Sequence, residues 1–125
     1  MDEQEFKART KGVALRVIKM TGTLPNCRAA DVLARQLLRS ATSVGANYRA
    51  ACRSRSTADM ISRPSIAEEE ADESIYWIEL LTDARFVAQK KVAPLTGEIE
   101  GILRMTVASI KTLRQRRIQN PKSKI

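Results

Sequence analysis

The sequence predicts an all-α fold, a bundle of four helices in a single domain, on three observations. The 125 residues include only five glycines and four prolines, below the average usage of roughly 12%, so turns are few. Pro25, Pro64 and Pro94 divide the chain into stretches rich in Ala, Leu, Arg, Glu, Lys and Ile. Within each stretch the apolar residues recur every three or four positions, the period of a helix with one buried face.

The first two predicted helices lie on either side of Pro25. The first runs from about Glu3 to Thr21, because Gly22 followed by Pro25 is a stop signal. The second is long and straight, with Asn26 as its expected N-cap and a frayed end near Arg53. Its apolar seam alternates steps of four and three, a pattern that packs helices nearly parallel: Ala30, Ala34, Leu37, Ala41, Val44, Tyr48 and Ala51.

The start of the third helix has two alternatives. Ser56 and Asp59 resemble a capping box, which would begin the helix near Thr57 and leave Pro64 inside a kinked helix. Alternatively, Pro64 opens the helix in its first turn, where a missing N–H is tolerated. We prefer the first alternative. Two seams follow downstream, and Trp77 is interpreted as a core residue: Ala67, Ala71, Ser74, Ile78 and Leu81, then Trp77, Leu80, Ala84 and Val87.

The fourth helix is expected to follow Pro94 and to run to about Arg117. Its periodic positions are Leu95, Ile99, Ile102, Thr106, Ile110 and Leu113. The bundle domain therefore covers residues 1–118, and residues 119–125 form a polar, basic tail that is expected to be disordered.

Composition excludes most enzyme chemistry. The chain has no histidine, and Cys27 and Cys52 are too far apart in sequence for a metal or redox motif, so we interpret them as partly buried, reduced thiols. The glycines are scattered rather than gathered in a phosphate loop. The longest apolar run, residues 75–78, is far shorter than the roughly 20 residues of a membrane span. We expect a cytoplasmic, non-enzymatic protein with no cofactor, no metal and no membrane contact.

Charge is segregated along the chain. Of the 22 basic and 14 acidic residues, residues 1–64 carry 12 and 5, residues 65–100 carry 3 and 9, and residues 101–125 carry 7 and none. The net charge is +8. The third helix is therefore an acidic rod in a basic protein.

Two basic clusters are candidate nucleic-acid contacts. The second helix carries Arg35, Arg39, Arg49 and Arg53, which either bind phosphates or pair with acidic residues of the same or a neighbouring subunit. The acidic candidates are Glu69, Asp72, Glu79 and Asp83. The C-terminal cluster is Lys111, Arg114, Arg116 and Arg117 with Lys122 and Lys124. Part of it caps a helix end, and the surplus predicts contact with nucleic acid or another polyanion.

A third stripe on the second helix is small and uncharged: Gln36, Ser40, Ser43 and Asn47. It is too polar for the core and too uncharged for an ordinary surface, which favours an oligomer interface or a central channel. A solvent-exposed face is the alternative.

Two segments resemble the 23S rRNA-intervening sequence protein family, small bacterial four-helix-bundle proteins. They are residues 36–49, QLLRSATSVGANYR, and residues 68–81, EEEADESIYWIELL. The chain departs from the family at Ala50, where Glu is common, and at Pro64, where relatives continue the helix.

The resemblance implies an up-down-up-down bundle that assembles as a homopentamer with no assigned enzymatic activity. Similar proteins that accompany diversity-generating reverse transcriptases bind nucleic acid and the polymerase. We therefore expect a homo-oligomeric, nucleic-acid-associated binding or scaffold protein with RNA or DNA as a partner. The alternative is a structural oligomer that binds a protein such as a reverse transcriptase and uses its charge for solubility and intersubunit ion pairs.

Overall fold

A computed structural model describes residues 3–54 and 56–119, apart from the side chains of residues 57, 59, 113, 116, 117 and 119. Within these ranges the protein is all-α, without strands. The helices are α1 (Glu3–Thr21), α2 (Arg28–Cys52), α3 (Thr57–Asp83) and α4 (Gln89–Gln119). Each helix packs against the next in an up-down-up-down order, and α4 returns to α1 through the least extensive contact of the bundle.

The core lies between the four helices and follows the predicted seams. Phe6, Val13 and Val17 bury one face of α1, and Leu37, Ala41 and Val44 bury one face of α2. Every residue of the first predicted seam of α3 is buried, from Ala67 to Leu81. The largest fully buried apolar side chains are Leu37, Leu81, Ile99, Ile102 and Val17.

The predicted bounds of α1 are confirmed, whereas the predicted cap of α2 is one residue too early. The N-cap is Cys27, in extended conformation and without a side-chain cap bond. The amide of Cys27 donates to the Pro25 carbonyl, so Asn26 is still part of the turn. The first helical bond therefore runs from the Asp31 amide to the Cys27 carbonyl.

Proline 64 lies inside α3, which begins at Thr57, so the preferred alternative for its start is confirmed. The first bond of this helix runs from the Met60 amide to the Ser56 carbonyl at 3.1 Å. Pro64 is buried, and that burial offsets the helical hydrogen bond that a proline cannot make.

The prediction that the fourth helix follows Pro94 was wrong, because α4 begins at Gln89 with Pro94 inside it. The additional turn buries Val92 on the same face as Leu95 and Ile99. Helix α4 ends at Gln119, so that residue belongs to the helix. The rest of the predicted tail, residues 120–125, lies outside the described residues.

None of the described helices is both long and apolar enough to cross a lipid bilayer.

Candidate interaction surfaces

Arg39 of α2 is held by two carboxylates of the acidic helix α3. Its Nη1 lies 3.3 Å from both carboxylate oxygens of Glu70, and its Nη2 lies 3.0 Å from Oε2 of Glu73. The hydrogen bond with Glu73, and then the charge of Glu70, raise the pKa of Arg39. The ion-pairing alternative is therefore confirmed for Arg39, with Glu70 and Glu73 as partners in place of the four predicted acidic residues.

Glu70 is the more buried of these two carboxylates. Burial raises the pKa of Glu70 from its usual value, although the neighbouring charge of Arg39 acts in the opposite direction. The like charge of Glu73 adds to the increase. Arg39 therefore offsets part of the cost of placing Glu70 between the helices.

The other predicted arginines of α2 differ from Arg39 in their surroundings. Arg35 lies 3.9 Å from Asp31 one turn earlier, and both side chains are exposed. Arg53 is exposed at the C-cap of α2. Arg49 is also exposed but borders a groove between α1 and α2.

One member of the uncharged stripe of α2, Ser40, contacts α3. Ser40 is fully buried, and its hydroxyl lies 2.8 Å from the hydroxyl of Ser74. Ser40 is therefore a contact inside the protomer, and its assignment to an oligomer interface was wrong. A small polar residue is favoured there because the two helices are close enough for their serine hydroxyls to meet.

The remaining members of this stripe are half-buried. The Ser43 hydroxyl donates to the Arg39 carbonyl, and the Asn47 side-chain amide donates to the Ser43 carbonyl. The side-chain carbonyl of Gln36 accepts a long bond of 3.4 Å from Nε of Arg39. These polar groups are used within α2 itself, so they give no direct support to the predicted interface.

Sequence reasoning missed a second cross-helix ion pair, which joins α1 to α4. Arg9 pairs with Glu98, and the hydrogen bond that Arg9 donates to the Glu98 carboxylate is the main cause that raises the pKa of Arg9. Nη1 of Arg9 also lies 3.5 Å from the sulfur of Met105. Arg9 and Glu98 are 89 positions apart in the sequence, so only the return of α4 to α1 could have indicated this pair.

The C-terminal half of α4 carries exposed cations. Lys111 and Arg114 border a shallow groove of about 250 Å³ against α3, together with Glu68 and Ile118. No ion pair involves Lys111 or Arg114 among the described residues. The side chains of Arg116 and Arg117, and all of Lys122 and Lys124, lie outside the described residues.

A groove of about 640 Å³ runs along the outer side of the α1–α2 pair. Small residues form much of its wall, including Ala8, Ala14 and Ala46. Lys11 and Arg49 border it, and neither forms an ion pair with a described residue. We call this feature the basic groove.

A cavity of about 490 Å³ opens at the end of the bundle where α1 begins and α2 ends. Phe6 and Tyr48 form part of its wall, with their ring centroids 4.2 Å apart. Burial raises the pKa of the Cys52 thiol, so this cysteine is protonated at neutral pH. Both cysteines are free, but Cys27 is exposed rather than partly buried as expected.

Trp77 packs against the core, as predicted. Its indole N–H is buried and has no hydrogen-bond partner among the described residues. The described residues also contain no group of three or more Cys, Asp or Glu side chains that could hold a metal ion. The architecture is that of a helical bundle whose distinctive chemistry is charge on its outer faces.

This arrangement places the protein among small four-helix-bundle proteins. A family model described as 23S rRNA-intervening sequence protein matches residues 3–108. The chain belongs to this family. No curated protein matches the chain.

A solved structure from Bacteroides thetaiotaomicron is also similar. It is the crystal structure of a protein of unknown function from the S23 ribosomal protein family. The two chains share 32% sequence identity with a TM-score of 0.82, over 89% of this chain and 99% of that chain.

Proposed function

We propose that the chain is a homo-oligomeric, non-enzymatic binding or scaffold protein that contacts nucleic acid through the C-terminal half of α4. The observation that carries this proposal is the pair Lys111 and Arg114, exposed on one helix with no carboxylate paired to either among the described residues. Cations in this state are available to neutralise phosphates and to release the counterions that phosphates hold.

The ion pairs of Arg39 favour the C-terminal half of α4 over the arginines of α2 as the contact surface. Arg39 is occupied by Glu70 and Glu73, so it is the weakest of the predicted phosphate ligands. Lys111 and Arg114 lie three residues apart, on one side of a helix, so both can face the same phosphate backbone. Binding through such contacts depends little on base sequence.

The test is the salt dependence of binding to a mixed-sequence 20-nucleotide RNA, measured by fluorescence anisotropy. Replacing Lys111 and Arg114 with Ala should make the slope of log K against log[salt] shallower by about 1.4, at about 0.7 per phosphate of a single strand. The control is Lys90→Ala with Lys91→Ala, two exposed cations at the other end of α4. Equal slopes for the two double variants would contradict the assignment to Lys111 and Arg114.

The ion pairs of Arg39 favour a second candidate function, a structural oligomer that binds another protein. In that case the charge serves packing between helices and solubility. Absence of RNA and DNA binding at about 50 mM salt, where the counterion contribution is large, would favour this candidate. For either candidate, light scattering should give about five times the 14.0 kDa mass of the chain, as the resemblance implies.

A further inference from the structure

Two exposed helix stripes in the structure have matching periods and complementary chemistry. On α3 the stripe is Glu69, Asp72, Tyr76, Glu79 and Asp83, all exposed, and we call it the acidic face. On α1 the stripe is Gln4, Ala8, Lys11, Leu15 and Ile18, also all exposed. Both stripes alternate steps of three and four, the pattern that lets one helix pack along another at a small angle.

The stripe of α1 is unusually apolar for a surface that faces only water. Leu15 is 57% exposed and Ile18 is 50% exposed. They follow Ala8 and Lys11 on the same stripe of α1, beyond the residues that line the basic groove, so small and large apolar groups adjoin on one side of this helix. Contiguous exposed apolar groups with a polar rim are typical of protein interaction sites.

The acidic face has an aromatic residue at its centre. Tyr76 is 52% exposed, and its ring packs edge-on against the Trp77 ring with the centroids 5.2 Å apart. This contact holds the ring in place before any partner arrives, which reduces the entropy lost on binding. Tyrosines surrounded by charged residues are frequent anchors in protein interfaces.

The charges of the two surfaces are opposite. Glu69, Asp72, Glu79 and Asp83 form no ion pair with a described residue, and the same holds for Lys11 and Arg49 of the basic groove. The stripes also have equal lengths, since residues 4–18 and residues 69–83 each span about 21 Å at 1.5 Å per residue.

We infer that the acidic face of one chain docks into the basic groove of a second copy, with Tyr76 against the small residues of the groove. This inference rests on the proposed homo-oligomer and specifies its interface. The groove volume of about 640 Å³ leaves room for an aromatic side chain. Burial of Tyr76, Leu15 and Ile18 drives association, and the charges select the register and the partner face.

The contact joins two different surfaces, so it is heterologous. A protomer that offers its acidic face to one neighbour still has its basic groove free for another. Repetition of such a contact closes a ring when the rotation per subunit permits it. In this arrangement Lys11 and Arg49 take part in assembly, whereas Lys111 and Arg114 stay available to bind nucleic acid.

Charge reversal tests the inference. One variant combines Lys11→Glu with Arg49→Glu, and the other combines Asp72→Lys with Glu79→Lys. Each places like charges across the contact, so each should raise the dissociation constant of the oligomer at least tenfold and shift its mass towards 14.0 kDa. The control variant, Lys90→Glu with Lys91→Glu, lowers the net charge by the same amount as the first variant but on a different surface, and it should keep the wild-type mass.

The quadruple variant carries all four reversals and provides the decisive measurement. Its groove is acidic, and positions 72 and 79, on either side of Tyr76, are basic while Glu69 and Asp83 are unchanged. Attraction therefore returns at the centre of the contact and the oligomer should reform. In an equimolar mixture of the two double variants, contacts between unlike chains are attractive. A ring of five must still keep one repulsive contact between like chains, so the mixture should assemble better than either double variant but less well than the quadruple variant. Glu and Lys are both good helix formers, and circular dichroism checks that helix content is retained.

The outcomes separate this inference from the proposed function. A monomeric wild-type chain would overturn the homo-oligomer itself, and this inference with it. An oligomeric wild type with unchanged double variants, or with a quadruple variant no better assembled than the doubles, would overturn only the interface. Loss of RNA binding by Lys11→Glu with Arg49→Glu, with the oligomer intact, would overturn the interface and assign the groove to phosphates.

Discussion

Helix α2 meets its two neighbours in different ways. Against α3 it uses polar groups, which include the ion pairs of Arg39 and the buried contact between Ser40 and Ser74. Against α1 it uses close packing. A methyl group added at Gly45 would lie 3.1 Å from the hydroxyl oxygen of Thr10.

The difference explains where the free charge of the protein lies. Polar groups of α2 that face α3 are satisfied inside the protomer, so they have little capacity for another partner. On the α1 side the helices approach closely at Gly45 and Thr10, which leaves no room for a long side chain at that point. Lys11 and Arg49 consequently point outward along the basic groove. The nature of each helix contact, and not the amount of charge on α2, determines which cations are available.

The largest expected effect tests the apolar character of the α1–α2 contact. Phe6 is 7% exposed and packs against Tyr48. Phe6→Ala should lower the free energy of unfolding by about 3 kcal/mol, because it removes buried apolar area and leaves a cavity. Urea denaturation at one fixed protein concentration measures the change.

The matched control for Phe6 is Val32→Ala. Val32 lies on α2 and is exposed, so its truncation should change the free energy of unfolding by less than about 0.5 kcal/mol. Equal costs for the two variants would show that the Phe6–Tyr48 contact does not hold α1 to α2.

The contrast between these two helix pairs also shows what the sequence could predict. Periodicity located four helices and nearly all of the core, because burial of one face imposes a regular spacing on each helix. It located Arg39 on an outer stripe but not its partners, Glu70 and Glu73. Which residues of α3 face Arg39 depends on the rotation of α3 about its axis. The spacing of residues within one helix does not reveal that rotation.

The same limit applies to Ser40 and to α4. The stripe from Gln36 to Asn47 was correctly recognised as unusual, but its closeness to α3 required the position of Ser74. The start of α4 was missed because Pro94 is a strong local stop signal. Burial of Val92 outweighs that signal, and its burial is a property of the assembled bundle.

The next prediction concerns the polar contact between α2 and α3. Ser40→Ala and Ser74→Ala should each lower the free energy of unfolding by about 1 kcal/mol, since each removes one partner of a buried hydrogen bond. The double variant should cost less than the sum of the two, because no hydroxyl is then left behind. A double-mutant cycle in urea measures this coupling, and strict additivity would show that the two hydroxyls do not interact.

A smaller effect tests the close approach of α1 and α2. Gly97 lies in α4 with open space around it, so Gly97→Ala should raise the free energy of unfolding by about 0.8 kcal/mol through helix propensity alone. Gly45→Ala should lack this gain, because its methyl group crowds Thr10, which is buried and bonded to the Lys7 carbonyl. Thermal or urea unfolding compares the two variants, and an equal gain at both sites would contradict the close approach.

The smallest expected effect is a pH dependence that arises from Glu70. Burial raises the pKa of this carboxyl in the folded protein, so the folded state holds the proton to higher pH than the unfolded state does. Between the two pKa values the folded state binds more protons, and the contribution of Glu70 to stability therefore falls as pH rises. Glu70→Gln removes this contribution, so the stability of the variant relative to wild type should improve as pH rises from 4 to 7. Urea unfolding across that range measures the trend.

The control is Ser74→Ala. Ser74 lies one turn after Glu70 and has no titratable group, so the stability of this variant should change with pH in parallel with that of the wild type. An opposite trend for Glu70→Gln would show that attraction to Arg39 outweighs burial at this carboxyl.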